Sequence, residues 1–245
     1  MISSKTLTGW VLRLSSLFCA TLCADLPNVV YILCDDLGYG DVSCLNKGGK
    51  IRTPQLDRIG RDGAVFTDAH SGSSVCTPTR YGIMTGRYSW RTRLQSGVLG
   101  GLSPSLIEPG RMTVASYLRS KGYRTAVVGK WHLGMDWKVT GSEGVTALGI
   151  EKVSQVRSVD YSAEIGGGPL SVGFERFFGI SASLDMVPYT FIEGRRVVAL
   201  PEEEGSFPMY LGRERGRTRV GPVAKGFDAV DVLPRLVAES VNHIR

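Results

Sequence analysis

Cysteine and histidine are scarce in this sequence, with five cysteines and three histidines among 245 residues. The sequence has no Cys-x-x-Cys pair and no cysteine and histidine spacing typical of a zinc site. It also has no internal repeat, no low-complexity tract and no dense block of Lys and Arg interleaved with aromatic residues. We therefore predict no nucleic-acid partner, and the net charge of +6 fits a small anionic substrate equally well.

The N-terminal residues have the pattern of a secretory signal peptide. Lys5 precedes a mostly apolar run that ends in small residues near Ala24. Arg13 lies inside this run, so a buried N-terminal helix remains an alternative. The run is too short to span a bilayer, and no other segment could span one. We expect residues 1–24 to be cleaved and the protein to be exported.

Signal cleavage would leave three cysteines, Cys34, Cys44 and Cys76. In an exported protein Cys34 and Cys44 could form a disulfide. Because three is an odd number, at least one thiol is left for another purpose. Hydrophobic residues make up 42% of the chain and charged residues 21%, as in folded globular proteins.

Strand and helix patterns alternate along the chain, which predicts an α/β sheet covered on both faces. Its strands are predicted at 28–34 (NVVYILC), from Ala64 (AVFTDAH) and at 123–128, and its helices from Pro54 and at 113–120. Further on, the sequence predicts loops or a small insertion over 139–168 and a hairpin from Phe191. It also predicts an exposed loop over 201–222 and a helix over 228–245 interrupted near Pro234. Function in such a sheet gathers at the carboxyl ends of the strands.

Two adjacent carboxylates, Asp35 and Asp36, follow the first predicted strand. Carboxylate oxygens are the ligands that hard divalent cations prefer, so the pair is a candidate metal site. Gly38 and Gly40 would allow a bound group to approach the backbone closely. A solvated turn after a strand is the alternative interpretation of the pair alone.

Cys76 lies in VCTPTRYGIMTGRY, where the chain turns into a predicted helix. Its arginine comes four positions later, whereas the familiar cysteine phosphatase motif places the arginine six positions later. A cysteine protease is not indicated either, because only His132 and His243 follow, in unsuitable contexts. Cys76 could also be a small buried apolar residue, as free cysteines often are.

The stretch CTPTRYGIMTGRY resembles the signature of the sulfatases, in which the cysteine of a C-x-P-x-R frame is converted to formylglycine. Three further blocks resemble arylsulfatases of the type A kind in the same order: NVVYILCDDLGYGD, GYRTAVVGKWHLG and GFERFFGISASLD. The resemblance implies an alkaline-phosphatase-like α/β fold, a mixed sheet with helices on both faces, truncated at the C-terminal side. Residues 25–245 would be the N-terminal, incomplete part of the catalytic domain.

The resemblance also implies a role for each matching residue. The aldehyde made from Cys76 hydrates to a diol, of which one hydroxyl attacks the sulfur of a sulfate ester and the second expels sulfate. A serine would remain a stable sulfate ester, whereas the diol can return to the aldehyde. By this resemblance, Asp35, Asp36 and residue 76 would bind Ca²⁺, or Mg²⁺. Arg80 would contact the developing negative charge, and Lys130 would contact both the sulfate and the diol. His132 would contact the diol, and Ser183 would contact the substrate.

The resemblance stops short of a whole sulfatase site. Family members supply a second histidine, an Asp-Asn pair and another lysine from later segments, and the sequence shows no counterparts. We therefore expect a fragment or a remnant with little activity by itself. The implied partners are a sulfated small molecule or glycan and a formylglycine-generating enzyme, in the periplasm, outside the cell or in a eukaryotic lysosome. The alternatives are a phosphate or phosphonate ester hydrolase and a secreted, non-catalytic glycan-binding protein.

Overall fold

The computed structural model describes residues 26–141, 144–211 and 214–245, so the predicted signal peptide lies outside the described residues. The chain divides into two compact units, one that ends at Asp36 and one from Leu37 to Arg245. In the first unit, residues 28–34 form no strand and their side chains are exposed, so the strand predicted there is wrong. A strand needs a neighbour that takes up its backbone hydrogen bonds, and no pairing of this apolar run with another strand is present among the described residues.

The second unit contains a four-stranded mixed sheet, which confirms the predicted α/β class. Its strands, in spatial order, are β1 (Ala126–Lys130), β2 (Arg176–Ile180), β3 (Ile192–Glu193) and β4 (Arg196–Val197). The first two strands are parallel, with Gly129 opposite Gly179, and the other pairs are antiparallel. The hairpin predicted from Phe191 is therefore confirmed, whereas β2 was not predicted.

Two other expectations about strands are wrong. The run from Ala64 forms no strand and lies exposed. The predicted loop over 201–222 instead contains two short antiparallel pairs, one nested inside the other along the chain. Their strands are β5 (Glu203–Gly205), paired with β8 (Gly221–Val223), and β6 (Pro208–Leu211), paired with β7 (Glu214–Arg217).

The predicted helices are present. The helices are α1 (Pro54–Asp62), α2 (Cys76–Thr85), α3 (Val114–Ser120), α4 (Val153–Arg157), α5 (Gly168–Ser171) and α6 (Val232–Ile244), with 3-10 turns at Tyr39–Asp41, Ser89–Arg91 and Ala229–Asp231. Pro234 lies in the first turn of α6 and does not interrupt it, because the first-turn N–H groups have no partner within the helix anyway. The helix α4 lies inside the region predicted as loops or a small insertion.

The core of the second unit forms around the sheet, and α6 packs against β1 and β2. Fully buried side chains include Tyr81 of α2, Phe177 of β2 and Leu99 in a connecting segment. The outer side of α6 is apolar but exposed, with Leu233, Val237, Val241 and Ile244 between 40% and 70% accessible. None of the helices in the described part of the chain combines the length and the apolarity that a membrane crossing requires.

Candidate active site

Cys76 is the first residue of α2. Val75 before it is extended, and Gly86 ends the helix in the left-handed region with φ 68°. Thr77 and Tyr81 are 0% exposed and fix α2 in the core, while Cys76 stays partly accessible. The N-terminus of a helix presents free N–H groups and a partial positive charge, so the position of Cys76 favours an anion.

The end of β1 lies beside the start of α2. Lys130, the last residue of β1, donates from Nζ to Cys76 Sγ at 3.0 Å. Arg80, one turn into α2, donates from a guanidinium nitrogen to the backbone oxygen of Lys130 at 2.6 Å. The structure therefore brings together three of the residues singled out from the sequence and places the positive charge of Lys130 beside residue 76.

His132 lies two residues beyond β1 and is 1% exposed. Its backbone N–H donates to Ser181 O at 2.8 Å, and its Nε2 lies 2.8 Å from Leu99 O. A carbonyl only accepts, so Nε2 carries the proton and Nδ1 is an acceptor. Within the described residues, Nδ1 has no hydrogen-bond partner although it is buried.

The charge state of His132 follows from its surroundings. The pKa of the imidazole is lowered from 6.5 to about 4, mainly because the ring is buried and also because Lys130 and Arg80 carry positive charge nearby; Leu99 O and Asp185 oppose the shift. The ring is therefore neutral at pH 7. A neutral ring with a bare Nδ1 can accept a proton from a hydroxyl group.

We expect this depressed pKa to make the protein less stable in acid. The unfolded chain binds the proton more tightly, so the stabilisation present above pH 6.5 is lost as the pH falls towards 4. The loss should be about 3 kcal/mol. Urea unfolding at several pH values measures it, with His132→Gln as control, because glutamine can still donate to Leu99 O but does not titrate. Parallel pH profiles of the two proteins would contradict the prediction.

The remaining predicted site residues are Asp35 and Asp36, in the first unit, and Ser183, in the second. Asp35 and Asp36 are the last two residues of the first unit, and Asp36 has a positive φ of 60°. Asp36 and His132, with φ 55°, are the non-glycine residues in the left-handed region among those described. Such backbone strain is concentrated at functional sites. Ser183 follows β2 in a turn, where its backbone oxygen accepts from Met186 N, and its side chain makes no described hydrogen bond to Cys76.

Two further expectations concern cysteines and metal. Cys34, in the first unit, and Cys44, in the second, are both free cysteines, so the structure does not bear out the disulfide considered for an exported protein. The described part of the chain also has no cluster of three or more His, Cys, Asp or Glu side chains suited to a metal ion. The oxygen atoms of Asp35 and Asp36 are nevertheless of the type that Ca²⁺ and Mg²⁺ take.

Sequence reasoning missed the buried segment that carries Leu99. Two of its glycines leave no room for a side chain: a Cβ on Gly100 would lie 2.1 Å from Glu151 Oε1, and one on Gly101 would lie 1.8 Å from Val187 O. The glycine pair in GVLGGLS was the available signal, since glycine often marks close backbone approach. The GVLGGLS segment contains no titratable side chain that would have marked it as part of the site.

Comparison with known proteins identifies relatives of this chain. The sulfatase family model matches residues 27–194. The chain is 39% identical over 174 residues to an N-acetylgalactosamine-6-O-sulfatase of Bacteroides thetaiotaomicron, and 36% identical over 162 residues to human arylsulfatase A. The first match covers 71% of this chain and 30% of that relative, and the second covers 66% and 27%. The chain thus spans less than a third of the length of these two relatives.

Solved structures agree with the sequence relatives. One solved structure comes from work on the metabolism of multiple glycosaminoglycans by Bacteroides thetaiotaomicron. It matches this chain with a TM-score of 0.68 and 29% sequence identity, and the match covers 89% of this chain and 48% of the chain in that structure. A sulfatase from a Pseudoalteromonas species, at 23% identity and a TM-score of 0.52, shows the same fold and covers 86% of this chain and 39% of its own. With the family model matching more than half of the sequence, the chain belongs to the sulfatase family.

Proposed function

We propose that this chain carries the nucleophile side of a sulfatase active site and that the complete site hydrolyses sulfate esters. One observation carries the proposal. Lys130 Nζ lies 3.0 Å from Cys76 Sγ at the N-terminus of α2, inside an intact C-x-P-x-R frame. A lysine, a helix terminus and an arginine one turn away are a suitable setting for a tetrahedral anion.

Cys76 is the residue converted to formylglycine by a formylglycine-generating enzyme. The hydrated aldehyde would supply one hydroxyl to attack the ester sulfur while the S–O bond to the alcohol breaks and the alcohol leaves. Its second hydroxyl would then lose a proton, which re-forms the aldehyde and releases sulfate. Lys130 keeps its ammonium group at residue 76 and stabilises the negative charge that the sulfate oxygens gain. Arg80 supports this arrangement through Lys130 O and adds a second positive charge.

His132 is the proton acceptor in this proposal. Its Nδ1 is buried, carries no proton at neutral pH and has no hydrogen-bond partner among the described residues. It can therefore take the proton of the hydroxyl that expels sulfate. A protonated imidazole could not accept that proton. Ser183 is proposed to contact the substrate at the end of β2.

Asp35 and Asp36 would hold a divalent cation, Ca²⁺ in preference to Mg²⁺, together with an oxygen of residue 76. The cation, when bound, supplies positive charge to the sulfate oxygens. Two carboxylates and one further oxygen fall short of the six to eight oxygens that Ca²⁺ prefers. We therefore propose that residues outside this chain, or water, complete the shell.

A sulfated sugar is the favoured substrate class, because one relative is named as a sulfatase of N-acetylgalactosamine-6-sulfate groups. Aryl sulfates remain the alternative within the same reaction. A phosphate or phosphonate ester would need similar charges, so it is a third candidate. A protein that acts on such sugars is expected to be exported, to the periplasm, outside the cell or to a lysosome. The non-enzymatic alternative is a glycan-binding protein without turnover.

Conversion of Cys76 is the first test of this proposal. We expect the protein, produced together with a formylglycine-generating enzyme, to carry an aldehyde at residue 76, detected by mass spectrometry of that peptide and by labelling with a hydrazide. Cys76→Ala should not be labelled, whereas Cys44→Ser should be labelled like the unmodified sequence. An unconverted thiol at residue 76 would count against the sulfatase proposal.

Turnover is the second test. We expect the converted 245-residue chain by itself to hydrolyse 4-nitrophenyl sulfate at least about 10³-fold more slowly than human arylsulfatase A, since its cation shell is incomplete. A chimera, in which this chain replaces the matching segment of the Bacteroides relative, should recover turnover of N-acetylgalactosamine-6-sulfate groups. Preference of the chimera for phosphate esters would favour the third candidate. Fast turnover by the chain alone would show that the site is already complete.

A further inference from the structure

Two buried hydroxyl groups hold one backbone segment against His132. Thr77 and Ser103 are both 0% exposed. The N–H of Leu99 donates to Thr77 Oγ1 at 3.2 Å, and the N–H of Gly100 donates to Ser103 Oγ at 2.9 Å. Between these two anchors, Leu99 O accepts from His132 Nε2 at 2.8 Å.

The chemistry of the peptide group makes this arrangement specific. Leu99 C=O and Gly100 N–H belong to one planar peptide unit. The hydrogen bond to Ser103 therefore fixes the direction in which the Leu99 carbonyl points. The peptide unit before it is fixed to Thr77, which directly follows Cys76 in α2. A continuous series of contacts thus joins the nucleophile helix to the imidazole.

The segment is also unable to shift easily. Leu99 and Leu102 are 0% exposed, and Leu102 N donates to Oε1 of the buried Glu151 at 2.8 Å. Ser103 O accepts from Met135 N at 3.0 Å, which attaches the segment to the chain just beyond His132. A buried carbonyl held from several sides is a rigid acceptor.

We propose that Thr77 and Ser103 are positioning residues that fix the Leu99 carbonyl as the acceptor for His132 Nε2–H and so leave Nδ1 as the open acceptor. Neither residue is assigned to contact the substrate. The use of Nδ1 in catalysis rests on the proposed function. The tautomer of His132 does not rest on the proposed function, so an experiment can contradict the tautomer and the catalytic role independently.

Nuclear magnetic resonance of the ¹⁵N-labelled 245-residue chain tests the proposal. The sequence has three histidines, so three imidazole signals are expected, and His70→Gln and His243→Gln assign them. At pH 7 we expect the His132 signal to show Nε2 protonated and Nδ1 bare. The Nε2–H proton should exchange slowly with solvent, and its rate is compared with that of the Val128 amide in β1 to cancel changes in global stability.

The variants isolate the two hydroxyl groups. Thr77→Val and Ser103→Ala remove one acceptor each and should raise the relative exchange rate of the His132 Nε2–H proton about tenfold. Thr77→Ser keeps an acceptor and should leave the rate nearly unchanged. Thr125→Val is the matched control, because Thr125 is buried and donates to Gly173 O at 2.8 Å but has no part in these contacts.

Three results would overturn the proposal. The first is a proton on Nδ1 in the unmodified sequence, and the second is an unchanged rate in both Thr77→Val and Ser103→Ala. The third is an equal rise in Thr125→Val, which would indicate general loosening. If Thr77→Val does not fold, Ser103→Ala and the tautomer of the unmodified sequence decide the matter. If the protein shows no sulfatase activity, this test stays valid, because it measures proton exchange and not turnover.

Discussion

Replacing Cys76 with alanine in the chimera is expected to lower its sulfatase turnover by about 10⁴-fold or more, because the proposed nucleophile is removed. Cys76→Ser should behave differently from Cys76→Ala. Its single hydroxyl can attack once but cannot return to an aldehyde, so the serine should keep the sulfuryl group. We expect one equivalent of alcohol to be released and the mass of the peptide to rise by one sulfuryl group.

Cys44→Ser is the control for this experiment. Cys44 is an exposed cysteine that is not paired in a disulfide, so its replacement changes a thiol without changing the site. Its turnover should stay within about twofold of the unmodified chimera. Undiminished turnover in Cys76→Ala would refute the nucleophile assignment. Steady turnover in Cys76→Ser would show that the second hydroxyl is not needed.

Gly179→Ala is expected to have the largest effect on stability. Gly179 in β2 faces Gly129 in β1, and a Cβ at Gly179 would lie 1.8 Å from Gly129 O. This backbone oxygen cannot move aside without separating the two strands one residue before Lys130. We expect the free energy of unfolding to fall by about 3 kcal/mol or more, measured by urea denaturation.

Gly144→Ala is the matched control for this substitution, because a Cβ at Gly144 meets no atom of the described residues within 4 Å. Its free energy of unfolding should change by less than about 0.5 kcal/mol. A small effect of Gly179→Ala, similar to that of Gly144→Ala, would show that the strands separate more easily than their packing suggests.

The site could be predicted from the sequence where local signals are strong. A proline in the first turn and a glycine at the end mark α2, so the position of Cys76 at a helix start was predictable. The apolar residues before Gly129 predicted β1, although that strand continues to Lys130. The meeting of Cys76 and Lys130 was not predictable from spacing, because 54 residues separate them.

The failures have physical causes. The strand predicted at 28–34 depends on a neighbour that the apolar pattern does not specify. The strands between 203 and 223 are short, polar and rich in glycine, so they lack the alternation that identifies a half-buried strand. Leu99 acts through its backbone atoms, and those atoms are the same in every residue except proline. No sequence pattern could indicate that its carbonyl meets an imidazole.

The left-handed backbone at His132 limits the replacements that this position can tolerate. Histidine, asparagine, aspartate and glycine adopt such a conformation most readily, whereas valine, isoleucine and threonine are disfavoured by their branched Cβ. A branched residue here would destabilise the fold as well as remove the imidazole. Under the proposed function, a loss of turnover after such a substitution would combine fewer folded molecules with the loss of the proton acceptor.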